Sequence, residues 1–235
     1  MEKLAPVMTP THVAPAPPTA SLVADWLHKL IIAFHSGHRA LPLRSNRLLE
    51  QLHAEAEIVA GSARVLSIGM ESGACPRLQP DLEQCLEAVR HMDQELTTVL
   101  CRTLITPIDA EDLKLLSSHC VRLVRQQTRM ARLIASEGEG GLTEAQLSVA
   151  AWAESFHQAI GYLPGKNATE PAAQMRVSVR RALFLLRDAR CRLIATETDT
   201  RTLMRDLARI DVFEEAIEQM KIVDADIARI LLKWH

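Results

Sequence analysis

Three groups of side chains in this 235-residue sequence have types and spacings suited to chemistry. The first is a duplicated Glu-x-x-His pattern, Glu50 with His53 and Glu154 with His157. Three residues apart on a helix, a carboxylate and an imidazole share one face. Two such pairs are the signature of di-iron bundles, which also draw one glutamate from each of two other helices. Glu95 and either Glu214 or Glu218 are available for that role. The second group is an arginine row, Arg122, Arg125, Arg129 and Arg132. At 100° per residue these fall within about 80° of one another. Leu116, Cys120, Leu123, Gln127, Met130 and Ile134 centre on the opposite side. Guanidinium forks match phosphoryl and carboxylate oxygens, so the row suits an acidic surface or a phosphate chain. It equally suits a solvated face laced with ion pairs. Arg176, Arg180, Arg187 and Arg190 form a less clean version. The third group, Asp109, Glu111 and Asp112, follows Thr106-Pro107. Carboxylates there fit a helix start, with either Thr106 or Asp109 as the cap. No nucleophile elbow, phosphate-cradling glycine loop or Ser/His/Asp set occurs, so no enzyme is expected.

Helices must position all of these groups. Aromatics are only 3% of the chain, while helix formers such as Ala, Leu, Arg, Glu and Gln dominate. Apolar residues recur at helical spacing over about 44–71, 80–104, 109–136, 143–162, 170–197 and 200–234. Loops are marked by Ser72–Pro76, by Gly138–Gly141 and by Leu163–Asn167. No strand-like alternation of any length is present. Six long rods joined by short loops predict an all-α antiparallel bundle, built as two three-helix halves that divide at 138–141. Asp224 falls within the Met220, Ile227, Leu231 stripe, which predicts an interior carboxylate paired with an arginine or a helix-end donor.

The amino-terminal part reads differently. Residues 1–20 carry Pro6, Pro10, Pro15, Pro17 and Pro18 and no apolar periodicity, so a flexible tail is expected. Residues 21–38 predict an extra amphipathic helix carrying Trp26, Leu27, Leu30, Ile31 and Phe34. It would pack on the bundle or dock on a membrane surface or partner, and it is too short to cross a bilayer. His28, His35 and His38 nearby read as surface histidines. The five cysteines, at 75, 85, 101, 120 and 191, include no Cys-x-x-Cys pair, which argues against a disulfide framework or a zinc site. Cys120 and Cys191 are expected to fill helix faces as small apolar groups. The formal net charge of −2 provides no global attraction for nucleic acid or an anionic membrane, and local stripes have to be judged separately. No secretory leader is visible, so the cytoplasm, with a peripheral membrane association open, is the expected compartment.

Residues 103–113, Thr-Leu-Ile-Thr-Pro-Ile-Asp-Ala-Glu-Asp-Leu, resemble the motif T-F-x-T-P-F/I-D-R-E-D-I of the PhoU-like phosphate transport regulators. Thr103, Thr106, Pro107, Asp109, Glu111 and Asp112 match it. Residues 41–50 resemble the family's start, and the likeness extends over 40–235. It implies a PhoU-like helical bundle acting as a non-catalytic regulator or accessory of inorganic phosphate uptake, by binding a permease or another protein. Homo-oligomers also fit.

The family holds iron or zinc on acidic clusters. Here its L-D-D-V-L-D positions are occupied by Val121, Arg122 and Arg125, and upstream acids map near Glu87 and Arg90. Glu95, Asp109, Asp112, Glu214 and Glu218 are the remnant candidates. Family-type metal clusters are therefore not expected, and Arg122, Arg125, Arg129 and Arg132 take their place as the anticipated anion or partner face. Two alternatives stand beside this reading. One is the di-metal bundle on the Glu-x-x-His pairs; the other is a helical adapter unrelated to phosphate.

Overall fold

The computed structural model describes residues 44–72, 75–103, 105–134, 142–163 and 166–233. The stretch 1–20, the segment 21–38 and the 138–141 break lie outside the described residues. Among the described residues six helices are formed: α1 (Arg44–Ser72), α2 (Cys75–Leu100), α3 (Ala110–Ile134), α4 (Thr143–Gly161), α5 (Thr169–Thr196) and α6 (Thr200–Lys233). One 3-10 turn, Lys166–Ala168, leads into α5, and no strand occurs among the described residues.

The apolar stripes behave as their spacing predicts. Leu48, Leu52, Ala56, Val59, Ala63 and Leu66 of α1 are all buried, as are Leu82, Leu86, Val89 and Leu96 of α2. One start is displaced. Helix α2 begins at Cys75, five residues before its expected start at 80. Pro76 does not end a loop there; it sits in the first turn, where a missing N–H costs nothing. Pro80 then removes a single ladder bond one turn in.

The connection from α2 to α3 is also longer than expected, 101–109 in place of 105–108. Helix α2 closes with Arg102 N donating to Val99 O and Thr103 N to Leu100 O, a tightening last turn. Thr106 and Pro107 lie in the loop, and buried Ile108 anchors it. Asp109 is the residue whose carbonyl accepts the first bond of α3, from Leu113 N. Thr106 is therefore not the cap.

Hydrogen bonds fix the packing directions. Gln51 donates to Met92 O, and Thr128 and Arg132 of α3 reach Leu82 O and Glu83 of α2, so α2 runs antiparallel to both α1 and α3. All three helices of this half touch one another. In the second half α5 lies between α4 and α6 and packs closely on both. The halves join along two antiparallel seams, α1 on α4 and α3 on α6. On the first, Gln146 donates to Ala63 O while His53 meets His157. On the second, Lys233 meets Asp112 and Arg129 meets Glu215.

The core of the second half is aromatic. Trp152 and Phe156 are buried and stacked, with ring centroids 5.4 Å apart, and Phe213 is buried on α6. The indole N–H of Trp152 donates to Asp224 Oδ1 at 2.8 Å. Asp224 is thus hydrogen-bonded by an indole and not by a helix-end donor, with Arg176 acting on it only through its charge. Burial, the largest effect, pushes its carboxyl up to about 6. Cys120 is fully buried as expected, whereas Cys191 is exposed and fills no packed face.

Candidate functional site

The four α3 arginines are all exposed along one face, because the helix buries its opposite stripe of Leu116, Cys120, Leu123, Gln127 and Met130. They are not equivalent. Arg129 reaches across the seam to Glu215 of α6, and Arg132 reaches Glu83 of α2 at 2.8 Å. Arg122 and Arg125 have no carboxylate partner among the described residues. The row therefore has two cations committed to neighbouring helices and two presented to solvent.

The remnant metal-ligand acids do not converge. Each faces a cation or an imidazole, and only Asp109 and Asp112 share one. Glu95 faces His91 at 3.8 Å, Glu214 accepts from Arg190 at 2.9 Å, and Glu218 accepts from Lys221. Asp109 and Asp112 share Lys233, at 2.6 and 2.7 Å, and Asp112 also takes Arg229 at 2.8 Å. Asp112 is 2% exposed. Burial pushes its carboxyl up, but the bonds from Lys233 and Arg229 outweigh that and hold it below the usual range. The motif's two aspartates thus form a clasp between the start of α3 and the end of α6. His119 extends the clasp, with Nε2 2.9 Å from Asp226 Oδ2 and Nδ1 2.9 Å from the Gln219 amide nitrogen. Burial lowers the affinity of His119 for a proton, against the opposing pull of Asp226.

The Glu-x-x-His pairs are brought together only in part. His53 of α1 and His157 of α4 stack with ring centroids 4.3 Å apart and Nε2 atoms 3.2 Å apart. Both Nδ1 atoms are buried without a hydrogen-bond partner. A Cβ on Gly161 would stand 2.8 Å from His53 Cε1, so the glycine leaves the ring its seat. The glutamates do not join them. Glu50 is exposed, and Glu154 accepts from Arg64 at 3.0 Å, with its other oxygen 3.9 Å from His157 Nδ1. Glu95, Glu214 and Glu218 are engaged in the separate pairs described above. Among the described residues no three His, Cys, Asp or Glu side chains are grouped as metal ligands.

One site escaped the pattern reading. Glu55 is completely buried within the first half, and neither carboxyl oxygen has a hydrogen-bond donor. Its surroundings are already paired: Asp93 accepts from Lys114 at 2.7 Å and from Ser117 at 2.8 Å. Burial, reinforced by the Asp93 charge and only partly offset by Ser117 and Lys114, pushes the Glu55 carboxyl up to about 8. The signal was present, since position 55 lies between Leu52 and Val59 on the buried stripe.

The second arginine row lies on α5. Arg190 holds Asp211 and Glu214, while Arg176, Arg180 and Arg187 are exposed. No helix among the described residues is long and apolar enough to cross a membrane. No protein-family model matches the chain, and no curated protein matches it either.

Proposed function

We propose that this chain is a PhoU-like, non-catalytic accessory of inorganic phosphate uptake, acting by presenting the α3 arginine face to an acidic surface of a permease or related partner. The observation that carries this reading is the contrast along α3. Arg122 and Arg125 are exposed without carboxylate partners among the described residues, while Arg129 and Arg132 are tied to α6 and α2. Free guanidinium pairs on a stiff helix are suited to phosphoryl and carboxylate oxygens. Of the acids that a metal-binding relative would use, all but Glu95 are paired with Lys233, Arg229, Arg190 or Lys221. In this chain recognition has shifted from acidic clusters to a basic face.

Polyphosphate serves as the probe. Wild-type protein should bind it at low salt and release it as ionic strength rises, because exposed charge is screened beyond about 8 Å at physiological salt. Arg122→Glu with Arg125→Glu should abolish binding while changing stability by no more than about 0.5 kcal/mol, as surface substitutions do. Unchanged binding in the double variant would refute the assignment. Salt-sensitive binding to an acidic peptide but not to polyphosphate would favour the adapter alternative. The di-metal alternative retains one supporting observation, the meeting of His53 and His157.

A further inference from the structure

We propose that the outer face of α5 is a docking surface for an anionic lipid bilayer. Among the described residues helix α5 packs closely only on α4 and α6, so one side of this 28-residue rod is left uncovered by them. That side carries apolar residues that a free surface does not favour: Phe184 is 70% exposed and Val177 is 55% exposed. Seven residues apart, they lie within about 20° of each other around the helix. Arg180 and Arg187 flank them within about 60° on one side, and Arg181 lies about 60° away on the other. All three are exposed and none has a carboxylate partner among the described residues. Two acids share this face: Asp188 is taken by Arg192 at 2.8 Å, and Glu170 lies in the first turn of α5, at the far end of the row from Arg187.

Charge and apolar placement together select the occupant. The core of a protein interface is depleted of charge, with polar groups at the rim. On α5 the unpaired arginines are interleaved with the apolar residues along the row. That arrangement suits a helix lying in the headgroup layer, where Phe and Val sink to the acyl boundary and arginines reach lipid phosphates. The net charge of −2 makes the attraction local to this face, so it would also orient the molecule on the surface. The α3 row lacks the apolar component, which separates this surface from the one assigned to partner binding.

Vesicle co-sedimentation of the full chain tests the assignment. Binding is expected to phosphatidylglycerol-containing vesicles, with little to pure phosphatidylcholine, and should fall steeply with added salt. Each arginine near an anionic bilayer contributes about fivefold, so Arg180→Gln, Arg181→Gln and Arg187→Gln together should weaken binding roughly a hundredfold. Phe184→Glu should do the same without lowering the melting temperature, whereas Arg122→Glu with Arg125→Glu should leave vesicle binding intact. Equal binding to neutral vesicles, or full binding by the Phe184→Glu or triple-Gln variants, overturns the proposal. A wild type that ignores vesicles but forms a dimer lost in Phe184→Glu would assign the face to a second copy of the chain instead.

Discussion

Glu55 shows how a single buried group can shape the behaviour of this bundle. A carboxyl without donors in a packed helical interior is stable only in its neutral form. Its folded proton affinity, raised to about 8, exceeds the 4.5 of the free group. The folded state therefore holds a proton that the unfolded chain releases above pH 4.5. Stability contributed at this site is full below that value and declines as pH rises toward 8, by up to about 1.4 kcal/mol per pH unit. Glu55→Met keeps the length of the side chain and removes the proton. It should gain more stability over the wild type at pH 8 than at pH 5, as read from urea midpoints at the two pH values. An equal difference at both would mean that Glu55 ionises freely in the folded protein. Arg122 and Arg129 make the complementary point. They have the same residue type on the same face, yet among the described residues only Arg129 of the two is paired with an acid.

Helices were the most legible level of the sequence, because burial follows a 3.6-residue period that needs no knowledge of partners. The α1 stripe from Leu48 to Leu66 and the outward placement of Arg122 to Arg132 follow from that period alone. What joins one helix to another is not periodic. Nothing in the spacing could show that His53 would meet His157 while Glu50 and Glu154 turned away, or that Asp224 would take an indole. The motif aspartates were visible, but Lys233 and Arg229 as their partners were not. Pro76 misled because a proline marks a loop and a first helical turn alike.

The α1–α4 seam carries a testable consequence of this pairing. Burial, then the neighbouring His53, makes His157 a weaker base than free histidine; Glu154 opposes this and Arg64 reinforces it. A histidine with a lowered proton affinity favours the folded state above the free value of 6.5 and loses that contribution as pH falls through the folded value. On acidification from pH 7.5 to 5.5 the lowered histidines should therefore cost stability, opposing the gain from Glu55 and Asp224 over the same range. His157→Gln should remove part of that slope, and His119, lowered in the same direction, should account for another part. An unaltered slope in His157→Gln would show that the stacked pair already accommodates a proton.

At the scale of the whole molecule, two three-helix units are held by two antiparallel seams, and the second seam is electrostatic at one end. The Asp109, Asp112, Lys233 and Arg229 clasp draws on charges of both signs, but only Asp112 is buried. Asp112→Asn keeps the shape and removes the charge. Hydrogen bonds to charged groups contribute about 1.5–3 kcal/mol, so a loss of that order is expected in denaturant unfolding at pH 7. The difference should vanish at low pH, where the wild-type carboxyl, held below its usual range, finally takes a proton. A neutral effect at pH 7 would make the clasp a surface ornament despite its burial.

The clasp also imposes an order in time. Asp109 and Lys233 are 124 positions apart, whereas the bonds within each half join residues much closer along the chain. Closing a long loop is entropically costly until other contacts have shortened it. Each half can assemble from nearby partners first, leaving the motif aspartates solvated and waiting for the end of α6. Interactions completed after the rate-limiting step govern how fast a protein comes apart, not how fast it forms. In stopped-flow experiments Asp112→Asn should therefore speed unfolding and leave the refolding rate nearly unchanged. The conspicuous Thr-Pro-Ile-Asp motif would then set the lifetime of the folded molecule, with no part in starting it.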